Sequence, residues 1–134
     1  MPRAAISTRW AYAALGWWLV AAPWTAAHAQ SAARGQTLFE ARCTACHSLD
    51  VNRVGPALQA VVGRRAGTAK NYNYSPALAG AKHRWNQELI LAWLSDPEKL
   101  VPSQGMGYRV EAAQDREDLV AYLSAKGKVR GAVK

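Results

Sequence analysis

Beyond Ser31, apolar side chains recur at intervals of three and four, not two. Gly35, Leu38, Phe39 and Arg42 or Cys43 share such a stripe, which predicts a helix from about Ser31 to Cys46. Ser31 is its predicted N-cap, and Leu38 and Phe39 its buried face. Gly35 inside a helix costs about 1 kcal/mol relative to Ala, so its presence asks for a second helix passing close by. Leu89, Ile90, Trp93 and Leu94 repeat the pattern after Trp85-Asn86-Gln87-Glu88, with Asn86 as N-cap and Pro97 as the stop. A third stripe, Leu119, Val120, Tyr122 and Leu123, follows the acidic start Asp115-Arg116-Glu117-Asp118. Gly127 ends it, with Lys126 and Lys128 at its carbonyl end. Gly35 and Phe39 offer a notch and a knob for Leu119 and Tyr122. Between the first two helices, residues 54–76 are rich in Gly, Asn and Pro and read as loop. No stretch alternates convincingly enough for a sheet, and nothing repeats. The prediction is an all-α domain with long loops.

The amino terminus has a different composition. Arg3 and Arg9 precede an uncharged, mostly apolar run from Trp10 to Ala22, which Pro23 breaks. Ala27-His28-Ala29 fits a small-x-small cleavage pattern before Gln30. Residues 1–29 therefore read as a secretory signal peptide and 30–134 as the mature domain. An uncleaved anchor is the alternative, although the apolar run is short for a bilayer. Cleavage removes Arg3 and Arg9, taking 17 Lys and Arg to 15 against 9 Asp and Glu, a net of about +6 over 105 residues. A basic exported surface implies a solvated protein and acidic partners. No basic run interleaved with aromatics points to nucleic acid. The predicted location is the periplasm.

The chemistry concentrates in Cys43-Thr44-Ala45-Cys46-His47. These are the only two cysteines in the chain. On a helical turn, positions three apart face the same way. Both thiols then reach the two vinyl groups on one haem edge, and His47 projects to the iron as an axial ligand. Two other readings compete. A dithiol–disulfide pair needs a βαβ surround that is not visible. A zinc site needs two more ligands, and only His28 and His83 remain among the histidines. Pro56 lacks an N–H, but its carbonyl can accept from His47 and fix that ring's tautomer; an ordinary Gly-Pro turn explains it as well. Arg64 and Tyr74 in the following loop can hold carboxylates, or be merely solvated. Met106 is the only methionine besides Met1 and sits between Gly105 and Gly107. As a thioether on iron it has a reason to be there, with His83 as the rival sixth ligand.

Taken in order, these motifs resemble a family. Cys43-Thr44-Ala45-Cys46-His47, Gly55-Pro56-Ala57-Leu58, Gly63-Arg64-Arg65-Ala66-Gly67, Tyr74-Ser75, Trp85, Val101-Pro102 with Met106, and Arg116 to Leu123 are similar to class I cytochromes c of the mitochondrial and soluble bacterial type. The resemblance covers about Gly35 to Lys128. It implies three to five helices wrapped around one haem c, held by thioethers at Cys43 and Cys46. It implies His47 and Met106 as axial ligands, Pro56 as acceptor from His47, and Arg64, Tyr74 and Trp85 around the propionates. Three departures stand out. Trp93 replaces a tyrosine whose hydroxyl bonds the methionine sulfur in the family. Ser103-Gln104-Gly105 replaces a segment that carries a threonine contact to a propionate, leaving Gln104 as a donor and a looser loop. Thr37, Glu98 and Gly105 stand where a lysine ring is common, leaving Arg42 and Lys99.

The function implied is one-electron carriage, not enzyme catalysis, with the haem doing the redox work. Implied partners are redox complexes met by brief docking at a membrane: a cytochrome bc complex, a terminal oxidase or reaction centre, or a periplasmic dehydrogenase. A monomer is expected. Alternatives are a dedicated cytochrome subunit of a dehydrogenase or sulfur-oxidising complex, and a peroxidase-like protein should Met106 leave the iron.

Overall fold

The structure, a computed structural model, describes residues 29–127 together with Met1. The predicted leader and Lys128 lie outside the described residues. Five helices follow one another: α1 (Ala32–Arg42), α2 (Pro76–Gly80), α3 (Gln87–Ser95), α4 (Pro97–Leu100) and α5 (Ala113–Lys126). Among the described residues the one β pairing is an isolated bridge between Arg65 and Arg84. The sheet that a thioredoxin-like reading requires is therefore missing from this region.

α1 starts where the sequence predicts, with the Ser31 hydroxyl accepting from Arg34 N–H at 3.2 Å. It stops earlier than predicted, at Arg42. The Thr44 hydroxyl donates to Glu40 O at 2.7 Å, the carbonyl that the Thr44 N–H would use if the helix ran on. The chain then tightens into a turn, with Cys46 N–H and His47 N–H both donating to Cys43 O, at 3.1 and 2.8 Å. The Cys43–His47 segment is thus a turn appended to α1. Asn86 caps α3 through Leu89 N–H at 2.7 Å. Pro97 ends α3, as expected, and also begins α4, for which Asp96 supplies the cap. A proline has no N–H to lose at a first helical position, so one residue serves both ends. Ser75 and Pro76 start the short α2 in the same way, within a stretch read from sequence as loop.

The core joins α1, α3 and α5. Phe39, Ile90, Leu94, Leu119, Val120 and Leu123 are all buried. α1 and α5 pack backbone to backbone. A Cβ added at Gly35 would lie 1.9 Å from the Asp118 carbonyl oxygen, so only glycine fits. Phe39 then meets Tyr122 with ring centroids 5.3 Å apart. The acids predicted to favour the start of α5 do more than offset its dipole. Asp118 is fully buried, and its Oδ1 accepts from Ser31 N–H at 2.7 Å across the crossing. Its Oδ2 sits 3.1 Å from Arg34 as an ion pair that lacks hydrogen-bond direction. Asp115 takes Arg34 at 2.6 Å and Arg42 at 3.0 Å. The crossing is therefore bound by contact at Gly35 and by charge around it.

Gly35→Ala should lower stability by roughly 2 kcal/mol, because overpacking against a carbonyl outweighs the gain in helix propensity. Urea unfolding followed by circular dichroism checks this. An unchanged or raised midpoint would contradict the crossing.

Candidate haem site

The helices and the loops between them enclose a cavity of about 560 Å³. That is the size of a cofactor pocket, and its walls are mainly apolar: Phe39 from α1, Ile90 and Leu94 from α3, Leu119 and Leu123 from α5. All ten residues singled out from the sequence line it: Cys43, Cys46, His47, Pro56, Arg64, Tyr74, Trp85, Trp93, Gln104 and Met106. The fold gathers the whole set around one space.

The histidine side is rigid. Nδ1 of His47 lies 2.9 Å from the Pro56 carbonyl oxygen. A carbonyl only accepts, so Nδ1 carries the proton and Nε2 keeps its lone pair for a metal. Gly55 holds the ring from one face: a Cβ there would sit 2.2 Å from Cε1 of His47. Gly55 N–H donates to Cys46 O at 2.7 Å, tying the Gly-Pro turn to the cysteine turn. Burial pushes the Cys43 thiol up to about 11, against the opposing pull of Arg42. A redox dithiol needs the reverse, a stabilised thiolate. Among the described residues no group of three His, Cys, Asp or Glu is placed to hold a metal, which leaves the zinc reading without ligands.

The methionine side is built from side chains. The Trp93 indole Nε1–H donates to Met106 Sδ at 3.2 Å. The departure from tyrosine therefore keeps a donor on the sulfur. Trp85 packs edge-on to Trp93 at 5.2 Å, and His83 edge-on to Trp85 at 4.6 Å. His83, the rival ligand, is not among the residues lining the cavity; it stands behind Trp85. Gln104, read from sequence as a donor toward a propionate, turns its amide onto Met106: Nε2 donates to Met106 O at 2.9 Å.

The remaining polar groups suit an anion. Arg64 donates to the Ala57 and Gln59 carbonyls, at 2.9 and 3.3 Å. Burial lowers its affinity for its proton, while Tyr74 nearby works the other way. A desolvated guanidinium lining a cavity, with only neutral partners, calls for a carboxylate. The Tyr74 hydroxyl accepts from Ala69 N–H at 3.2 Å, which leaves its own hydrogen to donate. Trp85 N–H donates to Arg64 O at 2.9 Å, and Gly63 N–H to Trp85 O at 2.6 Å, so Arg64 and Trp85 are held side by side. Two thiols, a lone-pair imidazole, a thioether and a carboxylate-seeking edge fit a haem with its propionates. Tyr72, Val54 and Tyr108 also line the cavity and were not singled out from the sequence. The sequence carries a signal for Tyr72: in an extended segment, residues two apart face the same way, and Tyr74 lies two residues on.

Trp93→Phe removes the donor to Met106 Sδ and leaves a stronger thioether. The reduction potential should fall by on the order of 30 mV, the one-electron equivalent of a weak hydrogen bond. A potentiometric titration measures it, and an unchanged potential would mean the indole contact has no hold on the sulfur.

Known proteins are similar to this chain in sequence and fold. The cytochrome c family model matches residues 32–126. A cytochrome c2 of Rhodopseudomonas palustris is 39% identical over 112 residues, covering 71% of this chain and 97% of that protein. A cytochrome c of Euglena viridis is 42% identical over 95 residues, covering 69% and 93%. The solved structure of cytochrome cH from Methylobacterium extorquens superposes with a TM-score of 0.68 at 39% identity, covering 71% of this chain and 98% of that one. The chain therefore belongs to the cytochrome c family, haem electron carriers of the class I fold, with Cys43 and Cys46 as the attachment pair for one haem c.

Proposed function

We propose that this protein is an exported, single-haem carrier that shuttles one electron at a time between membrane or periplasmic redox proteins. The observation that carries the proposal is the meeting of His47 and Met106 in one apolar cavity beside both cysteines. When bound, the haem supplies the reversible one-electron step. The chain's residues do the rest. His47, with its proton held at Nδ1 by Pro56, would offer Nε2 to the iron. Met106 would offer its thioether, with electron density withdrawn by Trp93. With both donors bound, no site would remain for oxygen or peroxide, which sets a carrier apart from an enzyme. Arg64, Tyr74 and Trp85 would receive the propionates. The apolar walls keep water from the metal and favour the less charged state.

Docking follows from the surface at the cavity mouth. Val54 and Tyr108 line the cavity and are 75% and 43% exposed, an apolar lip through which an electron can leave. Charge around the lip is mixed: Arg53, next to Val54, is exposed and has no ion-pair partner among the described residues, whereas Arg109, next to Tyr108, pairs with Asp96 at 3.0 Å. Arg42 is already paired with Asp115, and Glu98 and Gly105 replace basic residues of the usual ring. A small, mostly apolar contact suits brief encounters, at the low end of interface sizes. Candidate partners are a cytochrome bc complex, a terminal oxidase or reaction centre, or a periplasmic dehydrogenase, met by a monomer. No helix among the described residues is long and apolar enough to cross a membrane.

Intact mass and redox titration of the protein from the periplasmic fraction test this reading together. The expected result is the chain from Gln30 plus one haem, titrating as a single one-electron wave. A mass without haem, or a protein retained in the cytoplasm, would overturn it.

A further inference from the structure

The loop that carries Met106 is badly suited to holding anything still. Gly105 and Gly107 flank the methionine, and Gly105 takes φ +107°, open only to glycine. Ser103 takes φ +65°, a left-handed conformation that a residue with a Cβ adopts at a cost. Neither flanking glycine packs against anything, for a Cβ at either would meet nothing within 4 Å. Trp93 touches the sulfur but leaves the backbone of the loop unrestrained.

The restraint comes from Gln104. Its side-chain amide closes on the backbone of Met106 from both sides. Met106 N–H donates to Oε1, and Nε2 donates to Met106 O at 2.9 Å. The chemistry of the two backbone groups fixes which end of the amide is which, since an N–H can only donate and a carbonyl only accept. The second Nε2 hydrogen faces Glu98, whose Oε2 lies 3.5 Å away. The other Glu98 oxygen accepts from Ser103 N–H at 2.7 Å. The clasp is thus moored to the start of α4. Gln104 is 7% exposed, so water competes little for these bonds. With both amide hydrogens engaged, Gln104 has none to offer a propionate.

We propose that Gln104 is the positioning residue of the sixth ligand: it holds the Met106 backbone in place, with Glu98 as its anchor, and so limits how often Met106 leaves the iron. This deepens the reading of Met106 as axial ligand and rests on it. Opening the loop requires breaking two hydrogen bonds within one small ring, each worth about a severalfold change in rate.

The test uses the ferric holoprotein and two readouts: exchange of the Met106 backbone N–H with deuterium, and the rate at which imidazole replaces Met106, followed through the far-red methionine–iron band. Gln104→Leu keeps the bulk and removes both bonds; each rate should rise about tenfold or more. Gln104→Glu keeps an acceptor for the Met106 N–H but turns an oxygen toward Met106 O and Glu98 Oε2, so both rates should rise there as well. Glu98→Ala, at an exposed position, leaves the clasp without its mooring and should raise both rates by a smaller factor. Wild-type rates in Gln104→Leu or, if that variant does not fold, in Gln104→Glu would overturn the proposal while leaving Met106 as ligand. A wild-type protein without the far-red band would overturn the ligand reading itself, and this proposal with it.

Discussion

At the crossing of α1 and α5, Gly35 lets a helix rest directly on the Asp118 carbonyl. Much of the site depends on that contact. α1 ends in the turn that carries Cys43, Cys46 and His47, while α5 brings Leu119 and Leu123 to the cavity wall. A wider crossing would move the attachment turn away from its pocket. The contact is sealed by charge. Asp118 caps the start of α1 through Ser31, and Asp115 gathers Arg34 and Arg42. Two buried acids one helical turn apart would be costly without those partners. Together they make the first and last segments of the domain a single frame.

Within that frame the two residues proposed as iron ligands are held by different means. His47 is fixed by backbone: a carbonyl at Pro56 and the bare face of Gly55. Such a site has little freedom, because turn geometry sets it. Met106 is fixed by side chains, with an indole on its sulfur and an amide around its backbone. Side-chain restraints can be exchanged one at a time without disturbing the fold. Two of the three departures that the family resemblance implies fall on this side, at Trp93 and in Ser103-Gln104-Gly105. The contacts to the Met106 sulfur and to its backbone are thus made by different side chains, the first by Trp93 and the second by Gln104.

Much of this was legible in the sequence. Helix periodicity placed α1, α3 and α5, and Gly35 announced a close crossing by its own cost. The spacing of Cys43, Cys46 and His47 named the chemistry, and Met106 stood out by rarity. What escaped was local competition. Thr44 ends α1 early by taking Glu40 O, and no periodicity records that. Two short helices escaped because a single turn has no repeat to detect; only Ser75-Pro76 and Asp96-Pro97 signalled them. The acids at the head of α5 suggested a dipole, but their hydrogen-bond partners lie 73 to 87 residues back along the chain. Gln104 suggested a haem contact by its position. Its amide had nearer partners in the loop, and a side chain takes the acceptors within reach.

The central claim is that Met106 completes the iron's coordination while bonded to Trp93. Proton NMR of the reduced holoprotein tests it most directly, since Met1 is the one other methionine in the chain. A thioether methyl held over the haem face must feel its ring current. One three-proton singlet should appear far upfield of ordinary methyl resonances, with cross-relaxation to the indole N–H of Trp93. A spectrum in which every methionine methyl falls in the ordinary range would contradict it.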